Sequence, residues 1–200
     1  MMIKGFLLGL GLLSASAAHS TTINFESYPD PSDFTSFSNS GATFTAAGAT
    51  TLFEISAYGQ TWGTSGPKIL CPYTAANYCG GDFNVTFAGS VKNLQFYFTG
   101  DNSTAALTAQ AFLNGVLLGT VIVAGDGNQS TAQLVNLSGF GAIDKIVVTG
   151  ASADDHGFGY DDFSFIAVPE PSSWAMMLLG FGAIGASIRR SRRFSGTQLA

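Results

Sequence analysis

Charge is what this sequence has least of. Only 10% of its 200 residues are charged, where a soluble domain carries about 25%. Too little charge is present for a polyelectrolyte held open by self-repulsion. Basic residues are scarcer still. Between His19 and Val168 three lysines (Lys68, Lys92, Lys145) face twelve carboxylates, a net charge of −9. Such a body has no basic surface to neutralise phosphates, which excludes nucleic acid as a partner. Two cysteines and two histidines are too few, and too scattered, for a Cys/His zinc site. No apolar run reaches the roughly 20 residues of a full membrane span. No segment keeps a helical period over three turns, and twenty-five glycines argue against a helical bundle.

Catalytic signatures are also missing. His156 is the only histidine well inside the body, and no Gly-x-Ser-x-Gly elbow accompanies it to suggest a serine triad. Glycosidase chemistry needs two carboxylates facing across a cleft. Glu26 and Glu54 are the body's only glutamates, and no spacing fixes a pair among them and the aspartates. The expectation is a protein that is not an enzyme, with a polysaccharide hydrolase or lyase as a remote option.

What is present is period-two patterning. Leu94, Phe96 and Phe98 alternate with Asn93, Gln95 and Tyr97, the signature of a half-buried strand. Leu107, Ala109, Ala111 and Leu113 do the same, Asn114-Gly115 interrupts, and Val116–Val123 resumes. Asn-Gly accepts the positive φ angles of a type I′ turn, so this stretch predicts a hairpin. Further strands are expected over Thr22–Glu26, Ala42–Ala46, Leu52–Ser56, Phe83–Phe87, Thr131–Leu137, Lys145–Thr149 and Gly159–Ile166. About ten short strands joined by turns fit two packed antiparallel sheets, an all-β, jelly-roll-like sandwich over residues 19–167.

Both ends read as addresses. Lys4, nine residues from Gly5 to Leu13 rich in leucine, and the small residues Ser14–Ala18 have the three-part layout of a secretory signal peptide, expected over residues 1–18. At the other end Pro169-Glu170-Pro171 precedes Trp174-Ala175, an apolar stretch to Ile188, and the cluster Arg189, Arg190, Arg192 and Arg193. Two prolines one residue apart stiffen the chain and end the preceding strand. A helix over 174–188 would be about 22 Å long, short of the roughly 30 Å hydrocarbon core. The expectation is a short transmembrane helix, completed by snorkelling arginines on the cytoplasmic side. A seven-residue tail, 194–200, follows.

In this order, Pro169-Glu170-Pro171, Trp174-Ala175, helix and arginine cluster resemble the PEP-CTERM sorting signal in its Trp-Ala variant, over residues 168–193. The resemblance implies recognition by an exosortase, an integral membrane cysteine transpeptidase of Gram-negative bacteria. It also implies processing near Pro169–Pro171 and loss of the helix. The protein would be exported as a precursor tethered to the inner membrane, then delivered to the cell surface or extracellular matrix, where the family is associated with extracellular polysaccharide and biofilm. The secretion machinery and the exosortase are the implied partners, extracellular polysaccharide a further one, and the membrane a transient one. The body, with its Ile23–Glu26 opening and Gly159–Phe165 close, resembles the jelly-roll ectodomains of such proteins and of carbohydrate-binding modules.

Three candidate features complete the reading. In an exported chain the only two cysteines, Cys71 and Cys79, read as a disulfide closing a nine-residue loop. Asp154, Asp155, Asp161 and Asp162 crowd the start of the last strand. If first and last strands lie side by side, Glu26 meets Asp161 or Asp162 and the three can hold a structural Ca²⁺ ion; the alternative is a solvated acidic loop. No other cofactor is implied. Tyr58, Trp62, Tyr73 and Tyr78 cluster in the glycine-rich, loop-like stretch 57–81, where Trp62 and Tyr73 are candidate glycan contacts, or else caps on the core. A calcium-dependent carbohydrate-binding module is thus the alternative to a plain matrix protein.

Overall fold

The computed structural model describes residues 19–58, 63–76, 78–150, 157–168 and 171–194. The expected signal peptide, Trp62, Asp154, Asp155, His156, Pro169 and Glu170 lie outside the described residues. Residues 18–168 form one compact unit, and the C-terminal helix belongs to a second.

The body is antiparallel β-structure. Its strands are β1 (Ser20–Ile23), β2 (Ser32–Phe34), β3 (Ser36–Asn39), β4 (Ala42–Ala47), β5 (Thr50–Ala57), β6 (Lys68–Thr74), β7 (Asp82–Thr99), β8 (Ala106–Leu113), β9 (Val116–Ala124), β10 (Ala132–Asn136), β11 (Ile143–Thr149) and β12 (Gly159–Ala167). The hairpin forms where Asn-Gly placed it. Asn114 and Gly115 have φ of 52° and 77°, and β8 pairs with β9 from Leu113↔Val116 outward.

The organising element is β7, whose 18 residues merge two expected strands. Its first half pairs with β4 through Val85↔Phe44 and with β11 through Val85↔Ile146. Its second half pairs instead with β12 through Phe98↔Tyr160 and with β10 through Phe96↔Val135. Between the halves the inward positions change parity, from Phe83, Val85 and Phe87 to Leu94, Phe96 and Phe98. Asn93 makes this change at φ 54°, a left-handed conformation that asparagine accepts more readily than most residues. Here Lys92–Gln95 of β7 faces the shorter Ser164–Ile166 of β12. The extra residue is a bulge that bends the strand and re-aims its side chains.

Bending β7 folds one continuous sheet over on itself into two layers, a β-sandwich. β3, β4, β11, β8 and β9 flank its first half; β10, β12, β1, β6, β5 and β2 flank its second. The layers meet through phenylalanine. Phe44 of β4 meets Phe163 of β12 edge-to-face at 5.1 Å, and Phe83 meets Tyr160 at 4.8 Å. All four are essentially solvent-free. Burying an aromatic of this size contributes about 2–3 kcal/mol, with further gain from edge-to-face geometry.

Three expectations are corrected. The first strand ends at Ile23, leaving Glu26 in the following turn. The stretch 68–74, read as loop, is strand β6; Ile69, Leu70 and Cys71 are all buried, so it shows no alternation. The C-terminal helix runs from Pro171 to Phe194, longer than expected, yet among the described residues no helix is long and apolar enough to cross a membrane. Its apolar part gives way to arginines before the needed length is reached. Within it Met176, Leu178, Leu179, Phe181, Ile184 and Ile188 are all exposed.

Candidate functional site

The first and last strands of the body meet on one loop. β1 and β12 lie side by side, with Ile23 opposite Phe163, which carries the turn after β1 and the start of β12 to the loop Gly63–Pro67 that leads into β6. An open depression of about 360 Å³ is lined there by Gly63, Thr64, Gly66 and Pro67.

Carboxylates tie this loop down from both sides. Asp161 Oδ2 accepts from the Thr64 backbone N–H at 2.8 Å and the Ser65 N–H at 3.3 Å. The Thr64 hydroxyl lies 3.0 Å from Asp161 Oδ2 and 2.6 Å from Asp162 Oδ2, and its single proton serves one of them at a time. Asp161 Oδ1 accepts from the Asp162 N–H at 2.8 Å. Asp162 sits at φ 50°, and its Oδ1 is buried with no hydrogen-bond partner among the described residues. From the other side Glu26 Oε1 accepts from the Lys68 N–H at 2.9 Å, while the Lys68 ammonium donates to the carbonyls of Glu26 and Tyr28. Gly66 leaves room for this carboxylate: a Cβ there would lie 2.3 Å from the Glu26 carboxyl carbon and would force the side chain to shift.

Glu26, Asp161 and Asp162 thus converge on one loop, as end-strand adjacency suggested. They do not converge on one point. Among the described residues no group of three His, Cys, Asp or Glu side chains is placed to hold a metal ion. Asp161 instead spends Oδ2 on backbone N–H groups of the loop and Oδ1 on the Asp162 N–H of its own strand. Sequence reasoning missed Thr64, Ser65 and Lys68, whose roles depend on contacts about 40 to 100 residues away.

Asp161 is fully buried. Burial, and then the nearby Asp162 charge, push its carboxyl above the ordinary 3.8, while the hydrogen bond from Thr64 N–H pulls the other way. Burial raises Asp101 too. A carboxyl raised in the folded state binds its proton more tightly there than in the unfolded chain. Its contribution to stability is complete below the unfolded value and is lost as pH rises through the folded one. Acidification from pH 7 toward about 4 should therefore stabilise wild type relative to Asp161→Asn. Urea midpoints across that range check this; parallel curves for the two proteins would contradict it.

The candidate disulfide is formed. Cys71 and Cys79 are bonded with Cα atoms 4.9 Å apart. Cys71 lies in β6 opposite Glu54, and Cys79 bridges to Gly157 just before β12. The Phe158 N–H donates to the Cys79 carbonyl. The bond therefore links β6 to the segment that launches β12.

Of the candidate glycan contacts, Tyr73 stands on β6 opposite Leu52. Two strand positions from Leu52 is Glu54, whose Oε1 accepts the Tyr58 hydroxyl. Burial, followed by hydrogen bonds to Glu54 and Tyr73, pushes the Tyr58 hydroxyl well above the usual tyrosine range. Glu54, Tyr58 and Tyr73 therefore form one hydrogen-bonded aromatic cluster. The alternation of β5 puts Glu54 and Leu52 on the same face; the tyrosine pairing had no sequence signal beyond clustering.

Comparison with known proteins separates the two parts of the chain. Residues 167–193 match the PEP-CTERM protein-sorting motif. The chain carries this motif, which implies an exported, exosortase-sorted protein. In the matched stretch Ala175 is exposed and Arg189 exposed; the side chains of Pro171, Trp174, Arg190, Arg192 and Arg193 lie outside the described ones. The search of curated proteins finds no match. Among solved structures, a carbohydrate-binding module (CBM6cm-2) of lichenase 5A from Cellvibrio mixtus, in complex with cellotriose, aligns at 17% identity. The alignment covers 75% of this chain and 98% of that one, with a TM-score of 0.31. At that score the likeness carries no weight for ligand or mechanism.

Proposed function

We propose that this chain is an exported, non-catalytic surface or matrix protein of a Gram-negative bacterium, in which a jelly-roll-like body is delivered by a disposable C-terminal tag. The observation that carries this reading is the sorting motif at 167–193, which begins as the β-sandwich ends and continues into a helix with exposed apolar side chains. Contiguous uncovered apolar surface marks a segment meant to meet another apolar phase or a partner. The helix is too short in its apolar part for a full-thickness bilayer. It suits a temporary hold at a thinned membrane or within the enzyme that receives it. The arginines stay cytoplasmic and leave the body outside. Processing near Pro169–Pro171 then frees the body for the cell surface or the extracellular polysaccharide. Expressed beside an exosortase, the chain is expected to lose its C-terminal segment. A variant with Pro169, Glu170 and Pro171 all replaced by alanine should keep it.

A second reading, a carbohydrate-binding module, has its own support in the Glu54–Tyr58–Tyr73 cluster. Sugar rings pack their C–H faces on aromatic planes, while carboxylates accept their hydroxyls. A tyrosine fixed by a carboxylate is preorganised for that task. The calcium dependence attached to this reading has no carboxylate triad at Glu26, Asp161 and Asp162 to rest on. On a glycan array, Tyr73→Ala should lose at least about tenfold in affinity, or roughly 1.4 kcal/mol, for any glycan wild type binds. Equal binding by both proteins would remove the cluster from the case.

A further inference from the structure

A second acidic locus lies away from the loop described above, where the turn after β7 meets the turn between β9 and β10. Asp101 is fully buried. Its Oδ2 accepts from the Gly127 N–H at 2.8 Å, while its Oδ1 is buried with no hydrogen-bond partner among the described residues. A carboxylate oxygen withdrawn from water without a donor is costly unless a cation or proton compensates it.

Further oxygens belong to the same two turns and to the start of β10. Gly125, tied to Ala105 by a 2.8 Å backbone hydrogen bond, has no Cβ. One built there would lie 2.6 Å from Asp101 Oδ2 and 2.7 Å from the Ser103 carbonyl oxygen. The Gly125 backbone therefore packs against both the Asp101 carboxylate and the Ser103 carbonyl. Asp126 is close enough for its charge to raise Asp101 further, and it stands exposed at the mouth of the turn. Its Oδ2 accepts from the Thr131 hydroxyl at 2.7 Å. The Thr131 oxygen in turn accepts from Gln133 Nε2 at 3.2 Å. This fixes the orientation of the Gln133 amide and leaves Gln133 Oε1 buried, again with no hydrogen-bond partner among the described residues.

We propose that Asp101, Asp126, Gln133 Oε1 and the Ser103 carbonyl form a Ca²⁺ site that fastens the 100–105 turn to the 125–131 turn. The donors are oxygen only, which suits a hard cation and disfavours zinc or copper. Two carboxylates with neutral amide and carbonyl oxygens are a ligand set that Ca²⁺ accepts in irregular geometry, whereas Mg²⁺ demands a near-octahedral one. The buried Asp101 anchors the ion and the exposed Asp126 gives it entry. This site is independent of the sorting motif and of the glycan reading, and its failure would leave both standing.

The test is calorimetric titration of CaCl₂ into the full chain in detergent after EGTA treatment. Wild type, Asp101→Asn, Asp126→Asn and, as the separate locus, Asp161→Asn are compared. The expected result is saturable Ca²⁺ binding, weakened at least tenfold in Asp101→Asn and Asp126→Asn and unchanged in Asp161→Asn, with weaker binding of Mg²⁺. If Asp101→Asn does not fold, the exposed Asp126→Asn decides alone, together with the amide resonance of Gly127, which should shift on addition of Ca²⁺. Absence of binding at millimolar Ca²⁺ would overturn the proposal. So would binding undiminished in Asp126→Asn, or binding lost only in Asp161→Asn.

Discussion

Replacing Phe163 by alanine is expected to cost about 3–5 kcal/mol and to lower the thermal midpoint of the body by roughly 6–20 °C. The reason lies in where β12 puts this ring. Phe163 is 1% exposed and stacks on Phe96 of the same layer at 4.7 Å. It reaches Phe44 across the layers at 5.1 Å, and Phe25 and Phe83 at 6.3 and 6.5 Å. Its removal opens a cavity among rings on several strands, which no single strand can close by shifting. Against a total stability of about 5–15 kcal/mol for a typical domain, that is a large share. Leu134→Ala, at a position 38% exposed on β10, should change the midpoint by no more than a few degrees. Differential scanning calorimetry of the two variants measures the contrast. A Phe163→Ala midpoint within 2 °C of wild type would mean that the two layers are not held together in this way.

The second large effect belongs to the disulfide. Closing the nine-residue loop between Cys71 and Cys79 restricts the unfolded chain, worth roughly 2.6 kcal/mol by the loop-entropy relation. Reduction, or Cys71→Ala with Cys79→Ala, should lower the free energy of unfolding by about 2–3 kcal/mol. Alanine is the right replacement because Cys71 is fully buried, and serine would add an unsatisfied hydroxyl. Urea denaturation with and without reductant reads the change. Identical midpoints would show that β6 and the approach to β12 are held without the bond.

How much of this was legible depended on whether a residue's role is local. The β8–β9 hairpin could be read because alternation and Asn-Gly are both short-range signals. The same holds for the second half of β7. β6 could not, since it is buried on both faces at Ile69–Cys71 and carries Pro72 within it, a residue that ordinarily argues against a strand. The union of two strands into β7 was hidden by Ala88-Gly89-Ser90, which reads as a turn but continues the strand. At the candidate site, Glu26 and Asp161 were found by reasoning that the ends of such a fold lie together. Their true partners were not, because Thr64 and Lys68 look like ordinary loop residues until tertiary structure brings them in. Asp101 carries no sequence mark at all, and only burial, which it shares with Asp161, sets it apart from the body's other described aspartates. The sorting motif was fully legible for the opposite reason. A sorting enzyme reads it as linear sequence, so its information does not wait on folding.

The central claim is that residues beyond Val168 are an address removed in use. Intact-mass spectrometry of the protein recovered from the surface of cells that carry an exosortase tests it most directly. The account predicts a polypeptide ending near Pro169–Pro171, without the Trp174–Ile188 stretch and the arginines. The same chain made in cells lacking the enzyme should retain them. A surface protein of full C-terminal length, helix included, would contradict the account.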